Sequence, residues 1–147
     1  MSLSESTYSN VLLGEVETLR RLRRHRADRA ERALREAKRA QKALLANIQQ
    51  AQDALEQTRQ EEARQSAQLL SQHQGQVLTL QALKSWGAQE RSLSATTRRD
   101  QGQLETLRGQ RAEKEASVDS TQKHVTECLR QVEKLQELSR LLTQEST

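Results

Sequence analysis

Residues 27–55 read ADRAERALREAKRAQKALLANIQQAQDAL, and the spacing of their apolar positions decides the fold. Steps of three and four pass through Ala27, Ala30, Leu34, Ala37, Gln41, Leu44, Ile48, Ala51 and Leu55. Eight of those nine are apolar, in a chain that is 33% apolar. A mean step of 3.5 holds such side chains in one line along a helix, and the line leaves water only when another helix covers it. The seam continues more weakly through Thr58, Glu62, Gln65 and Leu69. Upstream, Leu12, Val16, Leu19 and Leu22 make a second run offset by about one residue, which predicts a small discontinuity.

A matching seam runs through the second half: Leu104, Leu107, Arg111, Lys114, Val118, Thr121, Val125, Cys128, Val132, Leu135, Leu138 and Leu142. The two runs are about equally long. Between them lies Ser71-Gln72-His73-Gln74-Gly75, and Gly75 stands where a left-handed cap residue would end a helix. The spacing therefore predicts an all-α, long two-helix antiparallel coiled-coil hairpin with its turn near residues 71–76. Helix 1 is expected over about 8–71, the turn over about 72–76 and helix 2 over about 77–143, all as one unit spanning residues 1–147. Arms of about 65 residues at about 1.5 Å each would reach roughly 100 Å. Residues 1–9 and 143–147 read as frayed ends. A competing turn lies at 85–102, which is rich in Ser and Thr and carries Gly87 and Gly102. The midpoint turn is preferred because it alone lets both seams pair along their lengths.

Composition agrees and excludes other classes. The 147 residues contain 22 Leu, 20 Gln and 16 Ala but no Pro or Phe, and Tyr8 and Trp86 are the only aromatics. These are helix formers without the bulk to fill a thick core. No run of about 18 apolar residues is present, and Met1–Glu5 lacks the basic, apolar pattern of a signal peptide. The single cysteine, Cys128, makes no internal disulfide, which suits a reducing cytoplasm.

Chemistry has no obvious seat. A two-helix hairpin offers no concave site, and there is no phosphate loop or Ser/His/Asp grouping, so the chain does not read as an enzyme and implies no cofactor or metal. His25, His73 and His124 read as solvent-exposed, without a metal-ligand neighbour at helical spacing. Cys128 reads as a small buried seam residue with no base nearby.

Charge is more informative. Residues 20–42 hold eleven Lys/Arg against three acids, a local +8 in a chain of +4, which leaves −4 for the rest. Arg20, Arg21, Arg23, Arg24, Arg26 and Arg29 fall nearly all round the helix and repel one another unless an acidic surface is close. The competing reading is a solvated face with pairs such as Glu31/Arg35 and Arg32/Glu36. A nucleic-acid helix fits less well, because no aromatics interleave with the cations, and a membrane surface fails for want of a bulky apolar face. Beyond the turn, Val77, Leu80, Leu83 and Trp86 lie at three-residue steps. Trp86 either packs on helix 1 or, with the others, anchors a partner.

The segment Leu19-Arg20-Arg21-Leu22-Arg23-Arg24-His25-Arg26-Ala27-Asp28-Arg29-Ala30-Glu31-Arg32-Ala33 resembles the basic first helix of the YscO/HrpO-type (SctO) type III secretion stalk proteins, related to flagellar FliJ. Leu83-Lys84-Ser85-Trp86 is similar to the family's Leu-x-x-Trp element. The chain lacks the further aromatics and the more charged C-terminus common there. The resemblance implies a monomeric stalk, cytoplasmic at the base of a membrane-embedded secretion apparatus, that binds no nucleotide. Its paired ends, Leu12 to Arg39 and Val125 to Leu142, would enter a hexameric secretion ATPase, with Arg20–Arg26 meeting acids of the ring. Val77, Leu80, Leu83 and Trp86 would face the cytoplasmic domain of the export gate, and export chaperones would be further partners. The alternative is a generic coiled-coil scaffold or adaptor whose halves pair between chains; a basic nucleic-acid-binding helix protein ranks lower.

Overall fold

The computed structural model describes residues 3–145, in two helices: α1, Leu3–His73, and α2, Leu80–Glu145. They pack against each other as a helical hairpin, and no strand occurs among the described residues. α1 extends beyond its expected limits at both ends; α2 starts later than expected, at Leu80, and ends later, at Glu145. Residues 3–9 and 143–145 are helical rather than frayed, while residues 1–2 and 146–147 lie outside the described residues. The connection occupies 74–79, slightly later than 72–76.

Its geometry follows from three residues. Gly75 has φ 73°, and Gln76 N–H donates to His73 C=O at 3.3 Å, so the chain reverses over a glycine at the position that needs a positive φ. Thr79 then caps α2: its Oγ1 accepts from Ala82 N–H at 3.1 Å. That cap moves the start of α2 to Leu80 and leaves Val77 and Leu78 in the connection. The stretch 85–102 holds no turn and is helical throughout. Thr96 and Thr97 bond back to the carbonyls of Ser92 and Leu93, so these hydroxyls are accommodated within the helix.

The chain divides into two compact units. The terminal unit comprises Met1–Gln41 with Lys114–Thr147, of which 3–41 and 114–145 are described; the turn unit is Lys42–Glu113. In the terminal unit Ala27, Ala30 and Leu34 pack with Val125, Cys128 and Val132, and Val118 and Leu129 flank them. Ala27 is 0% exposed, because an alanine seam lets a helix approach closely enough to close over it. In the turn unit Leu44, Ile48, Leu55 and Leu104 form the core, with Ala51 and Leu107 against it.

Every position of the first seam from Ala27 to Leu69 is buried or half-buried. Three expectations fail. Arg111 and Lys114 are exposed, because long charged side chains leave the seam for water. The upstream phase break is absent: Ser9, Val16, Arg20, Arg23 and Ala27 carry one unbroken line of buried or half-buried positions. Leu19 and Leu22, which apolar spacing assigns to the seam, are 45% and 62% exposed. Leu138, expected in the second seam, is likewise displaced to the surface by Ser139, which is buried.

Candidate functional site: a cationic helix segment and an apolar turn

Arg20, Arg21, Arg23, Arg24, Arg26 and Arg29 all lie on α1 within the terminal unit. Arg20 and Arg23 hold seam positions and are half-buried; the other four are exposed. Arg20 Nη1 lies 3.3 Å from Glu17 Oε1, which also accepts the Ser139 hydroxyl of α2 at 2.8 Å. That hydroxyl, more than the nearby Arg20 and Arg21, holds the Glu17 carboxyl below the usual carboxylate range. The remaining five arginines have no carboxylate at ion-pair distance among the described residues. The expected Glu31/Arg35 and Arg32/Glu36 pairs are not formed either; Glu36 instead pairs with Arg39 at 3.4 Å. The result is a helix segment in which one guanidinium of six is ion-paired among the described residues.

One flank of this segment is shared with α2. Arg23 and Arg26 line a small cavity together with His124, Glu127, Cys128 and Gln131. Here the sequence reading of the histidines needs correction. His124 and Cys128 are one helical turn apart, and the sulfur lies 3.7 Å from His124 Nε2. The expectation that no histidine has a ligand-type neighbour, and that Cys128 has no base nearby, overlooked this spacing. Cys128 is nevertheless buried in the core, and no group of three or more metal-ligating side chains occurs among the described residues.

Around the connection, Val77, Leu80 and Leu83 are 102%, 69% and 53% exposed. Trp86 is different. It is half-buried, its ring stacks on His73 with centroids 4.9 Å apart, and its indole N–H donates to Glu90 at 3.3 Å. Trp86 therefore closes the turn unit against the end of α1, and three aliphatic side chains project beyond it. His73 is held as the platform of this stack, not free in solvent.

The turn unit also contains a polar ladder that periodicity did not resolve. Thr58 donates to Asp100 at 2.6 Å, Thr97 donates to Glu62, and Ser66 donates to Glu90 at 3.0 Å. Each pair joins α1 to α2. The signal was present as Thr58 and Glu62 in the weak seam and as hydroxyl residues at 85–102, but pairing them requires the register of the hairpin.

No helix among the described residues is long and apolar enough to cross a membrane. Compared with known families, residues 16–147 match the family model described as type III secretion protein YscO. Neither the curated proteins nor the solved structures compared yield a match.

Proposed function

The chain belongs to the YscO family and is thus a type III secretion component; from that premise we propose that it is the non-enzymatic coupling stalk of the export apparatus, cytoplasmic at the base of the secretion machine. One chain inserts its terminal unit into the hexameric secretion ATPase, and the turn contacts the cytoplasmic domain of the export gate. Export chaperones are further partners. The observation that carries the reading is the set of five arginines, Arg21, Arg23, Arg24, Arg26 and Arg29, with no carboxylate at ion-pair distance among the described residues. Such a surface favours an acidic partner and speeds its encounter. A helix carrying cations on several faces can be gripped from several directions, so it can bias which interface of a surrounding ring closes. Val77, Leu80 and Leu83 supply the apolar contact at the other site, next to Trp86 stacked on His73.

The test is stimulation of the cognate export ATPase by the purified chain. Arg23→Glu, Arg24→Glu and Arg26→Glu together should abolish stimulation while helical content measured by circular dichroism stays unchanged. Full stimulation by the triple variant would refute the role given to the cationic segment. A generic scaffold would show no ATPase response in either form.

A further inference from the structure

The terminal unit carries a second apolar stripe beside its seam. Leu19 and Leu22 each directly precede a seam residue, Arg20 and Arg23; Leu138 and Leu141 likewise precede Ser139 and Leu142. All four are 43–62% exposed. In an antiparallel pair a two-fold axis relates the helices, so residues one step before the seam on each helix fall on the same side. Two depressions agree: Arg26 shares one with His124 and Gln131, and Tyr8 shares another with Glu145. The Ser139–Glu17 bond sets those residues level and so brings Leu138 within a turn of Leu19. One face of the unit therefore carries four exposed leucines at its middle, with Lys134, which precedes the seam residue Leu135, as the cation among them.

Charge identifies the occupant. Glu15, Leu19, Leu22 and Arg26 follow one another at spacings of four, three and four along this face. Reversing that order superimposes Leu19 on Leu22 and Glu15 on Arg26. Neither Glu15 nor Arg26 has an ion-pair partner within the chain among the described residues. We propose that this face binds a second copy of the chain, running in the opposite direction, so that α1 packs on its counterpart with Leu19 against Leu22 and Glu15 against Arg26 at both ends. The same-direction alternative would set Arg26 against Arg26 and Glu15 against Glu15, and like charges reject it. The dimer joins two intact hairpins and covers Arg26, so it excludes any other use of that face while it persists. This inference does not rest on the ATPase reading and is tested without an ATPase.

Sedimentation velocity of the full chain over a hundredfold concentration range should show a reversible monomer–dimer equilibrium. Glu15→Arg should weaken it about tenfold or more through like-charge contact with Arg26. Arg26→Glu should do the same, and the charge-swapped chain carrying both should regain association. Leu22→Gln should also weaken it with helicity unchanged, since Leu22 is exposed within its own chain. A chain that stays monomeric throughout, or a double swap that fails to restore the dimer, overturns the proposal. A dimer indifferent to all four variants overturns it equally, because its halves would then pair by another surface.

Discussion

The terminal unit and the turn unit are built from the same two helices but are joined by a different balance of apolar and polar contacts. In the terminal unit, apolar residues from Ala27 to Leu34 close the seam; nearer the ends it holds Arg20, Arg23 and the Ser139–Glu17 bond, while Arg21, Arg24, Arg26 and Arg29 are exposed. In the turn unit, beyond Leu55, the seam itself becomes polar: three hydroxyls on one helix or the other donate to Asp100, Glu62 and Glu90. The first arrangement gains from excluded water, with little area per alanine. The second gains little net free energy per bond but requires a particular register, since each half-buried carboxylate meets its hydroxyl donor only when the two helices are aligned. The first leaves most of its charge exposed; the second fixes the alignment of the helices next to the turn.

The sharpest way to break this contrast is to open the apolar part of the turn unit. Leu55→Ala removes a side chain only 4% exposed and should cost about 2–5 kcal/mol. Urea denaturation measures the loss, and hydrogen exchange should show it concentrated in residues 42–113. An equal loss of protection at Ala27–Leu34 would show that the two units do not open separately.

A smaller effect tests the close approach in the terminal unit. Ala27→Leu forces a larger side chain into a position that is fully covered, at about 1–3 kcal/mol. If stability rises instead, the alanine seam is loose and the explanation given for it fails. Smaller again, Thr97→Val removes the hydroxyl that Glu62 accepts and should cost about 1 kcal/mol. Glu62→Gln in that background should cost less than in the wild type, and a double-mutant cycle measures the coupling.

The smallest effect is on titration. Glu17 is depressed chiefly by the Ser139 hydroxyl, and Glu61 is depressed to about 2 chiefly by its hydrogen bond from Arg64. Gln131 and Arg140 lower Glu127 and Glu137 in the same way. Each folded value lies below the unfolded one, so each contribution is present at neutral pH and is lost as pH falls below about 4.5; that of Glu61 persists until about 2. Ser139→Ala should raise the Glu17 midpoint in a carboxyl NMR titration and leave Glu61 unmoved. A shift at both residues would deny that the bond is local to the terminal unit.

Much of the hairpin was legible because helix periodicity is a local property. The positions from Ala27 to Leu55 announced their own burial, and Gly75 announced the reversal through its backbone freedom. The upstream stretch misled for an instructive reason. Apolarity favoured Leu19 and Leu22, but the helix continues its own geometry from Ala27, and that geometry puts Arg20 and Arg23 in the seam. The cationic segment was legible as composition; which arginines keep a carboxylate was not, because Glu17 is shared with a serine 122 positions away.

Residue spacing by itself determined that two long helices cover one another and reverse near the midpoint, since helix period and glycine geometry act over a few residues. Only the tertiary structure decided which side chains the pairing shelters and which it leaves outside: the Thr97–Glu62 ladder, the Trp86–His73 stack and the exposed Leu19 and Leu138. Those outcomes depend on the relative rotation and register of two helices far apart in sequence, which no single helix encodes.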